Sequence, residues 1–144
     1  MTLQGLLALL AQRPEFRRLV QRLLDAEGVP ALTGITESAR PFVFAALASA
    51  LKQPMLVVVA DEAQANSMME TLKVLVEHPD DVLCLPDRDA LPYERLISDA
   101  ETIQQRMNAL ICLTQRESKA VVVCSARALT QPLIPPQELS AALY

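Results

Sequence analysis

Two apolar runs decide most of what this chain can become. Met55-Leu56-Val57-Val58-Val59-Ala60 and Ala120-Val121-Val122-Val123-Cys124 contain no polar alternation. A strand with one wet face alternates, so β-branched runs of this kind predict strands buried on both faces, as in a parallel sheet. Val82-Leu83-Cys84-Leu85 is a shorter run of the same type, and Ala31 to Gly34 predicts a further short strand ahead of all three. Helical segments lie between them. Phe42 to Leu51 is alanine-rich and suited to close packing on a sheet. Asp61, with Gln64 three residues on, has the spacing of a helix cap, and the helix it opens runs to about Glu77 with Ala65, Met68, Met69, Leu72 and Val76 inward. His78-Pro79-Asp80-Asp81 breaks it. Pro86 to Asp99 reads as a polar loop, and Ala100 to Thr114 as a helix with Ile103, Met107, Leu110 and Ile111 as its stripe. Ser125 is placed to cap a short helix after the last strand. Strands alternating with helices predict an α/β layered domain.

The flanks differ from this middle. Leu3 to Gln12 is apolar with helical spacing, and Pro14 suits the first turn of a second helix to about Ala26, with Gly28 as its stop. Phe16, Leu19, Val20, Leu23 and Leu24 form its apolar stripe. Pro132-Leu133-Ile134-Pro135-Pro136 reads as a domain edge. The division is therefore a helical extension over 1–28, an α/β domain over 29–138, and the start of a linker over 139–144. The expectation is a fragment of a longer protein.

Several function classes lose ground on composition. A net charge of -4 and 3% aromatic residues without tryptophan argue against a free-standing nucleic-acid binder. Arg13, Arg17, Arg18 and Arg22 form a local basic group, read as a solvated helix face, with DNA contact as the alternative. No apolar run approaches the roughly 20 residues that cross a bilayer. Cys84, Cys112 and Cys124 are widely spaced and form no C-x-x-C pair, so they read as small buried residues in a reducing cytoplasm and not as a metal site. His78 is the lone histidine, which leaves no Ser/His/Asp or Cys/His constellation. Asp61-Glu62 resembles a strand-end Mg²⁺ pair but is placed for capping, and Asp87, Asp89 and Glu94 are read as caps of turns and of the following helix, with an acidic site as the alternative.

One segment carries more specific chemistry. Gly34-Ile35-Thr36-Glu37-Ser38-Ala39-Arg40-Pro41 has the position and length of the phosphate-cradling G-x-x-x-x-G-K-[ST] loop. Its second glycine is Ala39, its lysine is Arg40 and its hydroxyl residue is Pro41. A left-handed alanine costs on the order of 1–2 kcal/mol. Proline lacks the N–H a phosphate would use and the hydroxyl that would hold Mg²⁺. Glu37 adds a repelling carboxylate, and Arg40 has a bulkier head than lysine. Spacing alone does not separate a decayed phosphate loop from an ordinary strand-to-helix turn.

The flanking sequence adds to this. Leu91-Pro92-Tyr93-Glu94, then Arg106 to Leu110, Val121-Val122-Val123 with Ala126 to Leu129, Pro135-Pro136, and Leu32 to Ala39 resemble the N-terminal region of the bacterial transcription-repair coupling factors. The resemblance covers roughly Val29 to Glu138. It implies a P-loop NTPase layer like the first domain of the repair protein UvrB, as a half-domain with a degenerate loop. UvrB's adenine-contacting G-D-Q-P-like segment has no counterpart between Met1 and Pro30. The resemblance further implies a cytoplasmic, catalytically silent scaffold in transcription-coupled repair, with no cofactor, metal or catalytic residue. Its partners would be the rest of the parent factor, UvrA through a following module, and RNA polymerase and DNA only through distant domains. The alternatives are a divergent ATPase half using Arg40, and a DNA-contacting module.

Overall fold

The computed structural model describes residues 3–26, 28–88, 99–115 and 118–142. Its centre is a parallel sheet of β1 (Met55–Val59), β2 (Val82–Leu85) and β3 (Val121–Ser125), in the order β1-β3-β2. The chain steps two places outward from β1 to β2 and returns one place to β3. Parallel crossovers share one hand, so reversing direction sends the two connecting helices to opposite faces. Accordingly α4 (Glu62–Leu75) covers Val57, Val82, Val121 and Val123 on one face. On the other face α5 (Ala100–Thr114) and α6 (Ala126–Thr130) cover Leu85, Val122 and Cys124. The fold is thus a three-layer α/β arrangement around a small sheet.

A second helical shell lies behind the first face. α1 (Leu3–Gln12) and α2 (Pro14–Leu24) pack on α3 (Arg40–Leu51), where Phe16, Leu19, Ala46 and Leu47 form a core of their own. Met55 at the foot of β1 packs against this second core, and Leu7 of α1 packs against the first. The last described helix is α7 (Pro136–Ala142), and Leu139 in it is buried.

Local chemistry explains most boundaries. Pro14 opens α2, and Asp61 accepts the Gln64 N–H at 2.8 Å to cap α4. Ser125 accepts the Ala128 N–H at 2.9 Å to cap α6. α2 ends at Leu24, short of Ala26, because Asp25 caps it and Ala26 turns left-handed (φ 52°), before Gly28 is reached. α4 ends at Leu75 and not Glu77, since Val76 is extended, although Val76 still packs on the core. Lys52 ends α3 in the left-handed region (φ 52°). That conformation costs an L-residue about 1–2 kcal/mol, and glycine returns part of the gain through a freer unfolded chain. Lys52→Gly is therefore expected to stabilise the fold by about 0.5–1 kcal/mol, read as a higher denaturant midpoint.

Three expectations need correction. Ala31 to Gly34 is not a strand: among the described residues it pairs with no strand, and Leu32 within it is exposed. β1 is not buried on both faces. Leu56 and Val58 stand opposite Val122 and Cys124 in the register, yet they are 40% and 48% exposed because α5 and α6 stop over β2 and β3. The α5 stripe is rotated: Arg106 and Ala109 are its buried residues, and Ile103 is exposed. Cys124 is buried as expected, whereas Cys84 and Cys112 are only partly so.

Candidate functional site

The carboxyl ends of parallel strands are where α/β sheets place their sites. Here that edge holds two features. Beside β1, an open groove of about 940 Å³ runs between the turn at Glu37, Ser38 and Arg40, the strand end at Val58 and Ala60, and Gln64 of α4. This is the neighbourhood of Gly34 to Pro41. Gly34 still makes a left-handed turn (φ 76°). After it, Thr36 is extended and Glu37–Ala39 form one 3₁₀ turn that runs straight into α3. Ala39 sits at φ -88°, ψ -16°, an ordinary right-handed conformation, so the strain expected of a glycine-like alanine does not arise. Arg40 and Pro41 are the first helical residues, and Thr36 and Ser38 bring their hydroxyls to 3.4 Å of one another. Of the sequence-named residues, Gly34 to Thr36 lead into a 3₁₀ turn over Glu37–Ala39 and α3 from Arg40, with Glu37 on the groove.

The second feature sits at the ends of β2 and β3. Ser125, 1% exposed, donates a short hydrogen bond to Asp87 Oδ1 while its oxygen accepts the Ala128 N–H. Asp87 Oδ2 lies 3.8 Å from Arg127 Nε, whose side chain is exposed, so that ion pair contributes little. Arg106, 5% exposed, donates from Nη1 to the Pro86 carbonyl at 2.5 Å and to Gln131 Oε1 at 3.3 Å. Gln131 in turn accepts the Arg88 N–H at 2.8 Å. This network ties the β2 exit to the segment after α6. Burial and the nearby Arg88 charge lower the Arg106 pKa, and Asp87 opposes them. Burial, reinforced by the Cys84 and Asp87 charges, pushes the Cys124 thiol up from 9.0 to about 11, and burial likewise raises Cys84. Both thiols are neutral at physiological pH and poorly suited to nucleophilic attack.

Chemically, the second feature is a brace. Ser125 has its proton held by Asp87 and its oxygen by a backbone donor, so the hydroxyl is locked between two fixed partners. His78 precedes β2 at the opposite end of the sheet, beside Lys52, Glu77 and Lys119. Among the described residues, no three His, Cys, Asp or Glu side chains group to hold a metal. Arg17 donates to the Ala11 carbonyl at 3.3 Å, and Arg13, Arg17, Arg18 and Arg22 are exposed along α2. Asp89, Glu94 and the Leu91-Pro92-Tyr93-Glu94 segment lie outside the described residues.

Sequence reasoning missed Arg106 as a buried residue and missed its partner Gln131. A signal existed: Arg106 falls three residues after Ile103 and four before Leu110, on the apolar face of α5.

No family model matches the chain. The chain is 33% identical over 137 residues to transcription-repair-coupling factors from Mycobacterium bovis and Mycobacterium tuberculosis, a match covering 91% of this chain and 11% of each relative. It is 31% identical over 107 residues to the transcription-repair-coupling factor of Myxococcus xanthus, covering 71% of this chain and 9% of that relative. The chain thus spans about a tenth of the length of the curated relatives it matches. No described helix is long and apolar enough to cross a membrane.

Proposed function

Because the chain belongs to the transcription-repair-coupling factor family, we propose that it is a nucleotide-silent structural module of such a factor, working in the cytoplasm in transcription-coupled repair. The module is a P-loop-derived half-domain, related to the first domain of UvrB, whose phosphate site has decayed. It performs no chemistry itself. It holds the platform on which the factor's UvrA-recruiting part is mounted, and ATP-driven displacement of stalled RNA polymerase belongs to other parts of the factor.

The observation that carries this reading is the conformation of Glu37 to Pro41. A phosphate cradle needs convergent backbone N–H groups ahead of a helix. Here a 3₁₀ turn passes directly into α3, Pro41 supplies no N–H, and Glu37 places a carboxylate on the groove. Arg40 is the residue that the ATPase alternative requires. In the whole factor, Arg40→Ala is expected to leave ATP hydrolysis within about twofold of the parent, since a residue that touches no phosphate contributes nothing to its transition state. A loss of tenfold or more, the scale of one lost charge-assisted contact, would reject the silent reading.

A further inference from the structure

The network at the ends of β2 and β3 leaves one donor over. Arg106 Nη1 has two acceptors, but Nη2 is buried and meets no hydrogen-bond partner among the described residues. A buried guanidinium donor without an acceptor is costly, so native structures seldom leave one unmet. Next to it lies a pocket of about 50 Å³, lined by Arg106 and Arg88 and by the apolar Ile103, Met107, Leu133 and Ile134. Ile103, Leu133 and Ile134 are also among the exposed large apolar side chains. The pocket's charge is one-sided. Among the described residues, both ionic groups lining it are arginines, and the nearby Asp87 is occupied by Ser125 and Arg127. A single water needs about 10–15 Å³ of such space, so this pocket takes the head of one side chain and excludes a nucleotide.

We propose that the pocket between α5 and residues 132–134 receives a glutamate or aspartate side chain from an apolar segment of a protein partner. The carboxylate would meet Arg106 and Arg88, and the partner's flanking apolar side chains would cover Ile103, Leu133 and Ile134. Charge complementarity selects a carboxylate, and the apolar rim selects a peptide over a free inorganic anion. The proposal stands apart from the nucleotide question, since it uses the other end of the carboxyl edge.

The test is titration of the 144-residue chain with acetyl-Leu-Glu-Leu-amide and with acetyl-Leu-Gln-Leu-amide, followed by methyl NMR of Ile103, Leu133 and Ile134. The expected result is a saturable shift at these methyls with the glutamate peptide, and binding at least about tenfold weaker with glutamine, the scale of one charge-assisted hydrogen bond. Ile134→Ser, an exposed rim change compatible with folding, should weaken the glutamate peptide further. Equal binding of the two peptides would overturn the proposal. So would the absence of any shift at about 10 mM peptide, beyond the millimolar range of weak specific contacts. Inorganic phosphate producing the same shifts with equal affinity would overturn it too, by reducing the pocket to a general anion site.

Discussion

Replacing Ser125 by alanine is expected to cost about 3 kcal/mol, through two losses at one atom. The first is the cap of α6, whose Ala128 N–H loses its acceptor. Ser, Thr, Asn or Asp to Ala at a cap typically costs about 1 kcal/mol. The second is the donor to Asp87, which leaves a carboxylate that is 8% exposed without its hydroxyl partner. Hydrogen bonds to charged groups contribute about 1.5–3 kcal/mol. For a domain of this size the combined loss lowers Tm by about 6–12 °C. Asp87→Ala should reproduce the second loss only, and the double variant should cost clearly less than the two single costs added. Additive costs, measured by denaturant unfolding, would show that Ser125 and Asp87 are not coupled.

The second large effect concerns association. Among the described residues β1 is bonded on one side only, and its Leu56 and Val58 are exposed apolar side chains. Unpaired edges with apolar faces are templates for pairing with other chains. The 144-residue chain is expected to self-associate at tens of micromolar, a concentration at which burying a standard-sized face is sufficient. Leu56→Thr with Val58→Thr keeps the β preference of both positions and removes the apolar cover. Sedimentation of this variant should show a monomer. An unchanged oligomer would place the contact elsewhere, and a monomeric parent chain would show that the face is tolerated in water.

The elements legible in the sequence are those fixed by local chemistry. The unbroken apolar runs located all three strands, and Pro14, Asp61 and Ser125 marked helix starts that the structure keeps. α1 and α5 run between the residues that periodicity assigns. Pairing and cover were less legible, because they depend on neighbours distant in sequence. Ala31 to Gly34 has strand-like composition but no strand beside it among the described residues. Val57 and Val58 look alike in the sequence, yet one is buried under α4 and the other is open. Arg106 was hidden for a related reason. A charged residue on an apolar face is read outward by default, and only the carbonyl of Pro86 and the amide of Gln131 make its burial possible. At Gly34 to Pro41, the sequence identified the residues, while their conformation came only with the fold. Ala39 avoids strain because the 3₁₀ turn never asks for a left-handed residue.

The central claim is that the groove beside Glu37 and Arg40 no longer holds a nucleotide. The most direct measurement is thermal unfolding of the chain with and without millimolar Mg-ATP or Mg-ADP. A ligand of micromolar affinity at that concentration would stabilise the folded state by about 4 kcal/mol. That corresponds to a rise in Tm of about 8–16 °C. The account predicts no shift beyond that produced by an equal concentration of magnesium and inorganic phosphate. A nucleotide-specific rise of several degrees, abolished by Arg40→Ala, would contradict it.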